Sequence, residues 1–314
     1  MNVIRNPLTT GWRLQGGCSL TVGVFDGVHR GHLEVIDSLK RIKESEGTAN
    51  SVLLTFDCHP LTVTHPDRVP PLLTTLEEKL SLLKDMEIDT VLVEEFTEEI
   101  AKLGYRAFIN EHLVGNLSME QLVVGYDFHL GRAREGTQER LIALGREVGF
   151  GVTIVPPVVM GGRVVSSTKI RKAVSDGDLG IAARFLSRPY FLDSKVVRGE
   201  GLGRRLDFPT ANLSVPGQGK LLPPEGVYAV HVDVDGQTYG GMMNIGSSPT
   251  LHSDGERRME VHLFDFSGDI YGMKIRVKLL EFVREEMKFE HVSDLKVQLM
   301  KDRENILWIL EKKH

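Results

Sequence analysis

In the stretch TVGVFDGVHRGH two histidines, His29 and His32, stand three residues apart where an apolar run passes into a helical one. A strand that turns straight into a helix leaves unpaired N–H groups and the positive end of the helix dipole at the turn, which makes that end an anion site. Two imidazoles flanking it can donate hydrogen bonds to phosphate oxygens as charge builds on them during a transfer. Gly23, Gly27 and Gly31 punctuate the stretch and leave room for a nucleotide to approach the backbone. Taken alone, the pair is more readily explained as a helix cap.

Other segments carry groups of the same kind. VVSSTKIR places the hydroxyls of Ser167 and Thr168 at a helix start and Arg171 one turn on, a pattern that by itself also describes a capped surface helix. In VRGEGLGRRLDFPTANL, Gly199, Gly201 and Gly203 alternate with polar residues ahead of a Pro-Thr-Ala-Asn turn. No Rossmann-type strand precedes these glycines, so a dinucleotide fingerprint is disfavoured. The two cysteines, Cys18 and Cys58, are too few for a disulfide framework or a cysteine-rich zinc site.

The elements that must hold these residues follow from periodicity. Over the first 160 or so residues short apolar runs (SLTVGVF, SVLLTF, TVLVEEF, QLVVGY, VTIVPPVV) alternate with longer amphipathic ones, the pattern of a Rossmann-like parallel sheet covered by helices. The helix after the first run has Leu33, Ile36, Leu39 and Ile42 on one stripe and stops at Gly47. SSTKIRKAVSDGDLGIAARFL predicts a helix, a break at Gly177 and a second helix. From RPYFLD onward the pattern changes to short alternating strands with glycine-rich turns, Asp235-Gly236 marking a hairpin, and ends in an amphipathic helix from about Val292 to Leu310. An antiparallel barrel with a closing helix is expected there, and a domain boundary after Leu186, giving 1–186 and 187–314.

With 314 residues and 41% hydrophobic content the chain can bury two modest cores. The net charge is −5, with 20 basic against 24 acidic residues up to Leu186 and 18 against 19 beyond it. Neither part has the basic excess of a nucleic-acid footprint, so an anionic ligand must be met by locally placed donors, which suits a small phosphorylated molecule. The N-terminus lacks the basic head and apolar run of a signal peptide and no stretch approaches a membrane span, so a cytoplasmic protein without membrane partners is expected.

The whole string FDGVHRGH resembles the HxGH element of adenylyl and cytidylyl transferases, and in its fuller form the FAD-synthetase branch. TFDCHP, GYDFHLGRAREGT and SSTKIR are similar to further elements of that branch, with Cys58 where proline is usual and His129-Leu130 in place of the usual pair. RRLDFPTANL, NIGSSPT and MEVHLFDFSGDIYG resemble riboflavin-kinase elements, with Asp207 replacing a usual glycine, and EFVREEMKFEHVSDLKVQLMKDRENI resembles that family's C-terminal segment. Resemblance thus covers nearly the whole chain, and the family is that of prokaryotic bifunctional riboflavin kinase/FAD synthetases.

That resemblance implies an FMN adenylyltransferase domain joined to a six-stranded kinase barrel. Riboflavin and ATP would give FMN and ADP in the barrel, and FMN and ATP would give FAD and pyrophosphate in the N-terminal domain. It implies catalytic roles for His29, His32 and Arg171 in adenylylation and for Glu260 as general base in the kinase. Nucleotide contacts are implied for Gly23, Phe25, Asp26, Gly31, Ser167 and Thr168, and for Gly201, Gly203, Thr210 and Asn212. Flavin contacts are implied for Phe56, His59, Asp127, Phe128 and Arg284. Thr210 and Asn212 would hold Mg²⁺, for which both are suitably hard oxygen ligands. Two other readings compete. One is a different small-molecule nucleotidylyltransferase, against which PTAN and the barrel argue. The other is a flavin carrier that lost the chemistry, against which the completeness of the catalytic set argues.

Overall fold

The computed structural model describes residues 1–198, 208–217, 219–247 and 257–312. The chain divides into two compact units, Met1–Ser167 and Thr168–His314.

The first unit is built on a sheet of six parallel strands: β1 (Asn2–Arg5), β2 (Cys18–Val22), β3 (Asn50–Phe56), β4 (Thr90–Glu94), β5 (Met119–Gly125) and β6 (Gly151–Val155). Their order is β1-β4-β3-β2-β5-β6. β2 and β4 are buried along their full length, as strands covered on both faces must be, and this is why they read as unbroken apolar runs. β1 was not foreseen. NVIR is a short, mostly exposed edge strand that gets its structure from pairing with β4, Asn2 opposite Thr90. A two-stranded ribbon, β7 (Val159–Met160) with β8 (Arg163–Val164), follows the sheet.

The helix Arg30–Glu46 ends at Gly47, whose φ of 70° is the left-handed cap expected of glycine. It packs Ile36 with Phe25, Val28, Leu53 and Val91, while Leu33 and Ile42 are only partly buried. The helix Leu76–Lys84 joins the same cluster through Leu76, Leu80 and Leu83. Residues 105–116 are helical, and from Phe108 to Asn116 the turn widens to π-helical.

The division falls at the first residue of the helix Ser167–Ser175, which is followed by the helix Leu179–Leu186, the two separated at Gly177 (φ 76°). Asp178 caps the second, its carboxylate accepting from Ile181 N at 2.9 Å. That second helix packs on β9 and β14 of the barrel, so by contacts the chain divides about twenty residues before the change of pattern at RPYFLD. The closed barrel comprises β9 (Tyr190–Val197), β10 (Ala211–Leu213), β11 (Gly226–Val234), β12 (Gln237–Ser247), β13 (Arg257–Leu263) and β14 (Lys274–Arg284), in the order β10-β13-β12-β11-β14-β9. All pairs are antiparallel. The β11–β12 turn has positive φ at both Asp235 (49°) and Gly236 (79°), the type I′ geometry that matches strand twist. The terminal helix, Val292–Lys312, lays Ile306, Ile309 and Leu310 against Val227, Ala229, Met242 and Leu280 on the outside of the barrel.

Candidate active sites

In the parallel sheet β2 runs through the helix Arg30–Glu46 to β3 on one side, and β5 runs through the helix Gln138–Val148 to β6 on the other. Connections leaving neighbouring strands in opposite directions open a crevice beyond their carboxyl ends, the position where open α/β sheets bind ligands. Here the crevice is bordered by 23–29 and 126–130, the two segments singled out from sequence.

His29 is the N-cap of its helix, 6% exposed, and its Nδ1 accepts from His32 N at 3.3 Å. The imidazoles of His29 and His32 stack with centroids 3.7 Å apart and planes 14° from parallel. The Phe25 ring lies 5.1 Å from that of His32. A Cβ on Gly31 would come within 3.1 Å of the His29 ring, so glycine there lets the pair close up. Cap and catalytic readings are therefore compatible: the capping nitrogen is Nδ1 of His29, and the stacked faces are set by the cap.

The turn is strained. Phe25 (φ 52°) and Val28 (φ 38°) are left-handed without being glycine, and a β-branched residue there is a genuine outlier. Such conformations cost of order 1–3 kcal/mol each and persist where surroundings over-determine them. The constraint comes from Asp26. It is 5% exposed, and its carboxylate accepts from Leu73 N (2.9 and 3.0 Å) and Thr74 N (2.9 Å). Thr74 Oγ1 in turn accepts from Gly27 N at 3.0 Å. Asp26, assigned to the nucleotide from sequence, thus ties the turn to the segment before the helix Leu76–Lys84. Asp26→Ala would leave two buried amides without their acceptor, each worth about 1–3 kcal/mol, so urea unfolding should show a loss upward of about 2 kcal/mol. An unchanged unfolding midpoint would remove Asp26 from this role.

Ser167 Oγ donates to the Asp26 carbonyl at 3.0 Å, bringing the start of SSTKIR to the histidine turn. Thr168, exposed, and Arg171, half-buried, follow on the helix that Ser167 begins. The proposed flavin residues divide. Phe56 is 7% exposed and sits edge-on to Phe96, centroids 5.0 Å apart, as part of the core. His59 Nδ1 accepts from Leu61 N at 3.1 Å, at the start of a short helical turn. Asp127 is exposed and Phe128 half-buried, both just past the end of β5. Lys79 was missed: it is 5% exposed and bonded to loop oxygens on two strand ends. The available signal was a lysine within the Leu76, Leu80, Leu83 stripe of an amphipathic helix.

In the barrel, Glu260 on β13 is directly opposite Asn212 on β10 and Asn244 on β12, so the three side chains share one face. Met259 and Val261 point to the interior, which puts Glu260 on the outer face. Thr210 Oγ1 donates to Glu260 Oε2 at 3.1 Å, and Arg258 Nε lies 2.8 Å from Oε1. His262, two residues along, holds the PTAN turn with Nδ1 2.8 Å from the Pro209 carbonyl, and burial lowers its basicity. Asn244 Nδ2 donates to Glu286 Oε1 at 2.8 Å, and Glu286 walls a cavity of about 490 Å³ shared with Glu225, Phe282 and Glu285. A chain of contacts therefore runs from PTAN through Glu260's neighbour to the cavity. Gly201 and Gly203 lie outside the described residues.

Arg284, expected from the resemblance at the flavin, is paired within the fold. Its Nε reaches Asp302 Oδ1 and Oδ2 at 3.0 Å and its Nη2 reaches Oδ2 at 2.7 Å, with Asp302 only 3% exposed. This bidentate pair clamps the terminal helix to the end of β14. Among the described residues no group of three or more His, Cys, Asp or Glu side chains is arranged to hold a metal, and no helix is long and apolar enough to cross a membrane.

Comparison with known proteins agrees with this division. Residues 13–169 match the FAD synthetase family and residues 186–310 the riboflavin kinase family. The chain is 38% identical over 303 residues to the bifunctional riboflavin kinase/FMN adenylyltransferase of Escherichia coli (strain K12), covering 96% of each chain. It is 34% identical over 291 residues to the protein of the same description from Bacillus subtilis (strain 168), covering 92% of this chain and 91% of that one. A crystal structure described as a macrolide-efflux protein from Streptococcus pneumoniae superposes with a TM-score of 0.86 at 30% identity, over 97% of this chain and 98% of that one. With a strained histidine turn at the sheet's switch point, a PTAN–Glu260 contact on the barrel, and relatives of this similarity along nearly its whole length, the chain belongs to the bifunctional riboflavin kinase/FMN adenylyltransferase family.

Proposed function

We propose that the protein makes FMN and then FAD, with each transfer carried by its own unit. The observation that carries this reading is the separation of the two sites: the stacked His29–His32 pair lies in the parallel-sheet unit, and the Thr210–Glu260 contact lies in the barrel.

In the first unit the phosphate oxygen of FMN attacks the α-phosphorus of ATP, the bond to the β-phosphate oxygen breaks, and pyrophosphate leaves. His29 and His32 hydrogen-bond the phosphate oxygens as charge gathers on them, and the helix start adds its dipole. The SSTKIR resemblance assigns Arg171 to the same phosphates, and the 1–186 boundary, unlike the division after Ser167, keeps it in one stretch of chain with the histidines. Asp127 and Phe128, at the other border of the crevice, are candidates for the flavin together with Phe56 and His59, which also shape the loop after β3.

In the barrel Glu260 takes the proton of the riboflavin 5′-hydroxyl as that oxygen attacks the γ-phosphorus of ATP and ADP leaves. The cavity beside Glu286 is of a size to receive a flavin ring, with Phe282 as its apolar wall and its carboxylates as acceptors for hydroxyls. Thr210 and Asn212, two residues apart at the start of β10, offer hard oxygens and would hold Mg²⁺, which when bound neutralises charge on the nucleotide phosphates. A cytoplasmic setting fits the bacterial relatives and cysteines that form no disulfide.

Cutting the chain tests the separation. Residues 1–186 should convert supplied FMN to FAD, and residues 187–314 should make FMN only, both followed by chromatography. The second fragment should melt below the intact chain, because it lacks Phe185 and Leu186, both buried in the helix that packs on β9 and β14. If both fragments fold and neither is active, the sites are not independent.

A further inference from the structure

We infer that Lys79 is a positioning residue for adenylyl transfer, an ammonium clamp that fixes the loops at the carboxyl ends of β2 and β3 and thereby the histidine turn. The inference rests on the switch-point crevice being the adenylylation site. Lys79 Nζ donates to the Val24 carbonyl at 3.0 Å, the Phe56 carbonyl at 3.0 Å and Thr55 Oγ1 at 2.9 Å. Three N–H groups meet three oxygens, the full capacity of an ammonium. Thr55 Oγ1 in turn donates to the Val24 carbonyl at 3.2 Å, closing the network. Val24 immediately precedes Phe25, the first left-handed residue of the strained turn, and Phe56 immediately precedes the loop that holds His59.

A buried ammonium is costly unless it is hydrogen-bonded or paired with a carboxylate. Among the described residues no carboxylate forms an ion pair with Lys79, and its position would otherwise complete an apolar stripe with Leu76, Leu80 and Leu83. The charge is used on two loop carbonyls and one β3 hydroxyl. A methionine would fill the space but leave the Val24 and Phe56 carbonyls without this donor, so the turn that presents His29 and His32 would lose its registration to β3.

The titratable groups facing Lys79 are Asp26 on the β2 loop and Asp57 and Cys58 on the β3 loop. Burial outweighs their attraction and brings the ammonium down to about 8. The direction separates positioning from stability. Above about pH 8 the folded protein loses this proton while the unfolded chain keeps it up to the ordinary lysine range, so the contribution of Lys79 to fold stability improves as pH rises through that window. The neutral amine has only two N–H groups for three oxygens, so the clamp loosens over the same window.

The test is FAD formation from FMN and ATP by the whole chain between pH 7 and 9.5, with riboflavin phosphorylation measured on the same samples. The wild type should lose kcat for FAD formation through a single proton, approaching tenfold per pH unit above about pH 8, without a matching loss of thermal stability. Lys79→Arg, which keeps a cation that does not titrate, should abolish that step. Lys79→Met should lower kcat at pH 7 by roughly tenfold or more with little change in KM for ATP and no change in FMN formation. Lys79→Met at the wild-type rate, or an unaltered basic limb in Lys79→Arg, overturns the inference; should the arginine variant fail to fold, Lys79→Met decides it. His32→Ala in the same assay distinguishes the two levels. If His32→Ala is inactive and both Lys79 variants are normal, only the clamp fails; if His32→Ala is active, the crevice itself is misassigned.

Discussion

Replacing His32 by alanine is expected to slow FAD formation from FMN roughly a hundred- to a thousand-fold while riboflavin phosphorylation continues at its normal rate. Removing one preorganised donor to developing phosphate charge costs about 2.7–4 kcal/mol of barrier. The donor here is preorganised in a specific sense: its ring is stacked at 3.7 Å on that of His29, and the His29 ring is fixed by its cap bond to His32 N. The alanine variant keeps the His32 backbone and hence the cap, so the turn should survive and the loss should be in kcat. Its fold can be checked by thermal unfolding against wild type. Equal loss of both activities would mean that the crevice is not dedicated to adenylylation.

Glu260→Gln is expected to lower riboflavin phosphorylation by about a hundred- to ten-thousand-fold, the range for a positioned general base. Glutamine keeps the shape and can still accept from Thr210 Oγ1, which lies 3.1 Å from the carboxylate, but it cannot take the proton of the ribityl hydroxyl. Turnover should fall with little change in apparent affinity for ATP, and FAD formation from supplied FMN should be unaffected. The neighbouring Arg258, 2.8 Å from the carboxylate, would lose its ion pair, but that pair is partly exposed and worth little to stability. A wild-type rate would reduce Glu260 to a partner of Arg258 and Thr210. A change confined to magnesium dependence would move the carboxylate to the metal site and leave the hydroxyl proton to another group.

Much of the scaffold was legible because its causes are local. Strands covered on both faces must be apolar throughout, so β2, β3 and β4 announced themselves; Gly47 and Asp235-Gly236 mark places where positive φ is needed. The histidine turn was legible as a motif, but its strain was not, because Val28 carries no sign in its type that neighbours will hold it left-handed. What escaped the sequence depends on partners far along the chain. Asp26 meets Leu73 and Thr74, Arg284 meets Asp302, and Lys79 meets Val24 and Phe56, so these residues also hold loops and helices in place, whatever ligand contacts they make. Phe56 illustrates the same limit, since an aromatic beside a motif reads equally as a ligand platform or as core. β1 was missed because four mostly exposed residues have no periodicity to detect.

The most direct measurement mixes the two disabled chains. Purified His32→Ala and Glu260→Gln are combined with riboflavin, ATP and Mg²⁺, and flavins are followed by chromatography, with each variant alone as the reference. The first alone should stop at FMN and the second alone should leave riboflavin untouched, while the mixture should produce FAD, because FMN released by one chain is adenylylated by the other. A mixture that yields no FAD, although each variant keeps its own single activity, would contradict two independent sites joined by a diffusible intermediate.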